Sequence, residues 1–188
     1  AELELIARYA MLPEDGRRER AFDAFAQTGL PHRRMEAWKW TDFKAALPTV
    51  EASKDGASAK ALPTEGDAPV IRFKAGGVEL PKSLPEGLRF FEKEDAQALG
   101  QAEDVPLGAM TAAMARRKGG LDTLLIEVTG QVETPLHIVC EGDRDETNFA
   151  RIAIVVRADA SLDLIESHLG GAGFSSFLLE IGMQEGGR

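Results

Sequence analysis

Cysteine is almost missing from this chain. Its 188 residues include one, Cys140, which excludes an internal disulfide and suits a reducing compartment. No run of apolar residues approaches the roughly 20 needed to span a bilayer as a helix. The opening AELELIARYA carries two glutamates and no cationic start followed by an apolar core, so no secretory signal is read and the expected place is the cytoplasm. Positive charge is scarce where it would matter for nucleic acid. Residues 119–188 hold 4 Lys/Arg against 12 Asp/Glu, whereas 1–118 hold 18 against 19, and the overall net charge is −9. An acidic strand region repels a phosphate backbone, so no nucleic-acid groove is expected there. A phosphate loop is also lacking: the Gly170-Gly171-Ala172-Gly173 corner precedes another strand rather than a helix and has no lysine.

What is present, from Leu121 to Arg188, is one short strand after another. Apolar residues recur at every second position in Leu124/Ile126/Val128, Leu136/Ile138/Cys140, Ile152/Ile154/Val156, Leu162/Leu164 and Phe177/Leu179/Ile181/Met183. Since side chains alternate faces along a strand, each run has one apolar face and one mixed face. Val155–Asp163 (VVRADASLD) has an echo 26 residues on, at Ile181–Arg188 (IGMQEGGR), and a weaker copy in Val128–Leu136 (VTGQVETPL). A period of this size suits stacked repeats. Two architectures remain open on the residues alone: a coil of parallel rungs, or an antiparallel sandwich in which Glu141–Thr147 is a hairpin loop. A coil that stops in mid-pattern would belong to a longer protein and expose unpaired strand edges, so self-association of this fragment into dimers or larger species is expected.

Ahead of the strands, Leu3/Ile6/Ala7/Ala10 and Ala21/Phe22/Phe25 predict helices over 2–12 and 17–28, stopped by Gly29 and Pro31. Thr41 is the expected cap of a short helix ending at Leu47. The text from Pro48 to Pro69 is small, polar and aperiodic. Val70–Phe73 and Val78–Leu80 flank a Gly76-Gly77 turn, Leu88–Phe91 is a further strand, Glu94–Gly100 a helix, and Leu107, Met110, Thr111 and Met114 line one face of another helix that starts at Pro106 and stops at Gly119-Gly120. The division is a helical head over 1–48, a linker over 49–69, a small α/β segment over 70–120 and the strand stack over 121–188. Three basic clusters occur, Arg17/Arg18/Arg20, His32/Arg33/Arg34 and Arg116/Arg117/Lys118, the last lying where a helix should end and complementing its dipole.

Few residues carry chemistry. His137 lies three before Cys140, a spacing that points the two to opposite faces of a strand, so they do not grip one metal. Cys140 is read as a small buried hydrophobe, and a cluster-binding role would require ligands from neighbouring rungs or another chain. Glu166 and His168 project from one face as a conceivable acid–base pair, with a solvated strand end the plainer reading. Glu127, Asp163 and Glu180 sit on mixed faces; carboxylates on adjacent rungs are how a strand coil would cleave sugars, so an enzyme acting on polysaccharide is the competing function. Trp38 and Trp40, among Arg33, Arg34 and Lys39, are better suited to docking the head than to stacking bases, because residues two apart diverge by about 200° on a helix.

The segment Gly29-Leu30-Pro31-x-Arg33-Arg34-x-Glu36-x-Trp38-Lys39-Trp40-Thr41 resembles the N-terminal signature of the SufB/SufD family, on the SufD side, with Trp40 where tyrosine is common; TPLHI and RADASLDLIES resemble the opening of that family's core. The resemblance implies a mostly β protein with an α N-terminal region, its core the start of a right-handed parallel β-helix. It implies a non-catalytic scaffold subunit for iron–sulfur cluster assembly that pairs with SufB and with the ATPase SufC, in a complex that uses ATP through SufC and is associated with a FAD-dependent step. The family's partner-binding regions lie beyond this sequence, and no cluster-associated residue carries over. Neither catalytic nor metal residues nor a bound cofactor is expected in this fragment. Arg33, Glu36, Trp38, Trp40 and Thr41 are assigned structural roles: an Arg33–Glu36 ion pair, Trp38 as anchor and Thr41 as cap. A generic adaptor with an acidic face is the third class, without nucleic acid or membrane as partner.

Overall fold

The computed structural model describes residues 1–12, 14, 16–47, 68–74, 77–90, 104–115, 124–142, 148–170 and 174–188. Most of the expected linker, the 94–100 helix, the 116–118 basic cluster, Gly119-Gly120, Gly76 and Gly171–Gly173 lie outside them. The chain is a mixed α/β protein built on two four-stranded mixed sheets.

The head contains α1 (Glu2–Tyr9) and α2 (Gly16–Thr28), a single 3-10 turn at Glu36–Trp38, and α3 (Phe43–Ala46). Two glutamates in the first turn of α1 suit the positive end of a helix. Helix α2 ends because Gly29 takes φ +67°, a left-handed conformation that costs glycine no Cβ clash. A Cβ there would also meet Glu2 Oε1 at 2.7 Å. Tyr9 and Phe22 stack with ring centroids 3.7 Å apart and join the two helices.

The strands are β1 (Val70–Lys74), β2 (Gly77–Glu79), β3 (Leu88–Phe90), β4 (Leu124–Val128), β5 (Gln131–Glu141), β6 (Asn148–Val156), β7 (Ser161–Leu169) and β8 (Ser175–Met183), with α4 (Pro106–Met114) between β3 and β4. One sheet has the order β2-β1-β5-β7 and the other β3-β4-β6-β8. From β4 onward successive strands therefore fall in alternate sheets. Only β1–β2 and β3–β4 are antiparallel; β1–β5, β5–β7, β4–β6 and β6–β8 are parallel. Strands β5 and β6 belong to different sheets and are not hairpin partners; the expected hairpin loop lies, at 143–147, outside the described residues. The expected hairpin of Val70–Phe73 with Val78–Leu80 is present as β1–β2. Strand β1 is also the parallel neighbour of β5, and β3 the neighbour of β4, so β1–β3 are built into the same sheets as the later strands.

The repeat is a little longer than the echo in the sequence. Leu124 lies beside Ile152 and Leu136 beside Leu164, 28 positions on, while Val155 lies beside Gly182, 27 on, rather than beside Ile181. The offset is 30 at the start of β5, where Gln131 faces Ser161, and falls to 28 through an irregularity between Val132 and Leu136. Pro135 sits in that stretch and has no N–H to give a ladder. The corners stack as the strands do: Arg157 N donates to Val128 O, and Gln184 N to Val156 O. Asp159 and Gly186 hold matching corner positions, with φ of 57° and +73°. These left-handed residues are 27 positions apart, whereas the sequence echo sets Asp159 against Glu185.

Alternation places Ile71, Phe73, Leu136, Ile138 and Cys140 from one sheet in a single buried cluster with Leu124, Ile126, Val128, Ile152, Ile154 and Val156 from the other. Each enclosed aliphatic side chain is worth about 1.5–3 kcal/mol relative to water exposure. Helix α4 is buried all round from Gly108 to Met114, not on one face alone, because α2 covers one side while β6 and β8 lie against another. Ala112 and Ala113 meet Ala21 and Leu178, so the layers approach closely. Leu5, Phe25 and Leu30 join Met110 and Phe149 in a second cluster that fixes the head to the strands. Arg18, 6% exposed, donates from α2 to the Ala115 carbonyl at the end of α4, where a cation complements the helix dipole.

Candidate functional site: a thiol, an imidazole and a carboxylate on one strand face

Parallel pairing sets Cys140 of β5 directly beside His168 of β7, and Ile138 beside Glu166. Positions 162, 164, 166 and 168 share one face of β7, and the first two are leucines packed against the main core. The face that is apolar in β5 thus turns polar along β7. Glu166 Oε1 and His168 Nε2 are 2.6 Å apart, and one ligand atom each from Cys140, Glu166 and His168 lie within 4.8 Å of one another. The thiol is 1% exposed, whereas the imidazole and carboxylate reach solvent. Burial, together with the nearby Glu166 charge, pushes the Cys140 thiol up to about 12. The ring of His168 meets the edge of Phe177 at 5.6 Å, and Phe177 in turn meets Phe73, beside Cys140 on β1. Two aromatic rings therefore wall the cluster.

The opposite-face expectation for His137 holds. It hydrogen-bonds through Nε2 to Ser167 Oγ at 2.8 Å, takes no part in the cluster, and leaves Nδ1 buried with no partner among the described residues. Burial, then the positive charge of Arg72, holds its pKa below the usual imidazole value.

The three carboxylates weighed for sugar cleavage are not brought together. Asp163 is exposed on β7, while Glu127 and Glu180 belong to the other sheet. Glu127, 2% exposed, is not solvated but held between Arg89 and Arg157. The Arg89 hydrogen bond lowers its pKa, burial opposes that, and Arg157 lowers it further, with a net depression. Glu180 takes two hydrogen bonds from Arg151, at 2.7 and 3.0 Å.

In the head, Thr41 is not the cap. Asp42 Oδ1 accepts from Ala45 N at 3.0 Å, because the cap must sit one residue before the first helical turn at Phe43. Glu36 pairs with Lys39 at 2.6 Å rather than with Arg33, which is exposed. Trp38 is half-buried, its ring 6.2 Å from Phe43; Phe43 meets Phe174, and Phe174 meets Phe149 on β6. Trp40 is 88% exposed, with Lys39 Nζ 5.8 Å from its ring, so the two tryptophans form no common platform. A residue the sequence reading missed is Glu2. Its carboxylate accepts from Leu30 N at 2.7 Å and pairs with Lys44 at 2.5 Å, tying α1 to the Gly29 corner and to α3. Burial would raise its pKa, but those two partners prevail and lower it.

Among the described residues no helix is long and apolar enough to cross a membrane. Compared with models of known protein families and with curated proteins, the chain matches none.

Proposed function

We propose that this chain is a non-catalytic scaffold segment of a SufD-like subunit for iron–sulfur cluster assembly, working in the cytoplasm with SufB and SufC as partners. On this reading the two sheets are the first turns of a right-handed parallel β-helix. The observation that carries the proposal is the alternation of β4–β8 between two sheets with parallel neighbours 27–30 residues apart, preceded by a head docked through Leu5, Phe25 and Leu30. Stacked rungs support a scaffold because each rung adds surface without needing a closed domain. The iron–sulfur cluster is cargo of the assembled complex. The test is co-expression of the longer chain bearing residues 1–188 with SufB and SufC, followed by affinity capture. Stoichiometric recovery of both partners is expected. Recovery of neither overturns the proposal and points to the adaptor class; release of reducing sugar from acidic glycans would point to the enzyme.

A further inference from the structure

We propose that Cys140, Glu166 and His168 form a binding site for one divalent transition-metal ion of the Zn2+/Fe2+/Co2+ class.

The donor set is sulfur, nitrogen and oxygen, which favours borderline ions over Mg2+ or Ca2+, whose sites are built from oxygen. Two of the donors, the carboxylate and the thiolate formed on binding, are anionic and the imidazole is neutral, so a dication makes the site neutral beside the rings of Phe73 and Phe177. Bond lengths of about 2.0–2.3 Å place tetrahedral ligand atoms roughly 3.3–3.6 Å apart. Side-chain rotation of Glu166 and His168, both solvent-exposed, opens their 2.6 Å contact and brings their ligand atoms, now within 4.8 Å of the Cys140 sulfur, to that spacing while Cys140 stays fixed in the core. Three protein donors leave a fourth position on the solvent side for water or for a group from elsewhere. The thiol proton leaves to solvent when the metal–sulfur bond forms, and no oxidation state changes.

The site rests on the pairing of β5 with β7 and not on the scaffold reading, so capture of partners and uptake of metal fail independently. The test is anaerobic titration of the 188-residue chain with Co2+, read by thiolate-to-cobalt charge-transfer absorption. One equivalent with that absorption is expected, displaced by Zn2+ and not by Mg2+. Cys140→Ser should abolish the absorption. Because Cys140→Ser alters the core, His168→Ala decides the matter even if the serine variant folds poorly: the His168 side chain is exposed, the circular dichroism spectrum should be unchanged, and Co2+ affinity should fall by more than the roughly 10–100-fold typical of losing an outer-shell partner of a ligand. Glu166→Gln should weaken binding by about 10-fold or more. Absence of the charge-transfer absorption in the parent chain, or its persistence at unchanged affinity in His168→Ala, overturns the site.

Discussion

The helical head and the strand stack are held by different means. In the stack, single strands supply enclosed side chains at every second position, and β6 is buried at seven of its nine residues because it has a parallel neighbour on each side as well as a helix against it. In the head, α2 is strongly charged and contributes few enclosed residues, so its place depends on small side chains that let it approach α4. The stack's order follows from local alternation repeated; the head's follows from a docking surface that exists only once the stack is built.

Substitutions sharpen that contrast. The largest effect is expected for Ile126→Ala, at a fully enclosed position where both sheets meet: a loss of about 2–5 kcal/mol in global stability from urea melts, with head and stack lost together. Next is Ala113→Leu, which forces extra volume between α2 and α4 and should cost about 1–3 kcal/mol. Hydrogen exchange should then show lost protection in α2 with β4–β6 still protected; equal loss in both regions would break the distinction. Trp38→Ala removes a half-buried ring and should cost about 1–2 kcal/mol, less than the 3–5 typical of an enclosed aromatic. A shift below that, in urea-derived stability, would mean the Trp38–Phe43–Phe174–Phe149 chain does not hold the head.

The smallest effect is the one that changes with pH. Glu127 has a folded pKa below its ordinary 4.5, so it contributes stability that is present above about pH 4.5 and lost as pH falls through the folded value. Glu127→Gln should lower stability at neutral pH and flatten its decline below pH 4.5, measured by urea midpoints across that range. Glu2, depressed in the same direction, should leave a residual decline that reports on the head.

Much of the fold could be read from particular residues. The triplets Leu124/Ile126/Val128 and Ile152/Ile154/Val156 marked both the strands and their inward face, since a strand's period of two needs no tertiary information. Pro106 marked the start of α4, and Gly29 the end of α2. The errors share a cause. Thr41 and Asp42 are both good caps, and only the place where Phe43 begins to turn chooses between them. Glu36 had a cation on either side, at Arg33 and Lys39, and backbone geometry at the 3-10 turn selected Lys39. The echo gave a period of 26 because it set Asp159 against Glu185, acid on acid, whereas hydrogen bonding aligned Val155 with Gly182 and the left-handed corner residues Asp159 and Gly186 follow that same offset of 27.

The candidate site shows the same division. That Glu166 and His168 share a face, and that His137 and Cys140 do not, followed from strand periodicity. That Cys140 belongs with Glu166 and His168 followed only from β5 lying parallel to β7 at an offset of 28, a distance over which a local pattern carries no information.

Residue order by itself determined which stretches extend, which coil and which side of each is apolar, because those properties depend on neighbours a few positions away. Tertiary structure alone decided which strand lies beside which, how α4 came to be enclosed on all sides, and which distant side chains meet, because these depend on how repeats of unequal length, interrupted at Pro135, bring their backbone hydrogen bonds into line.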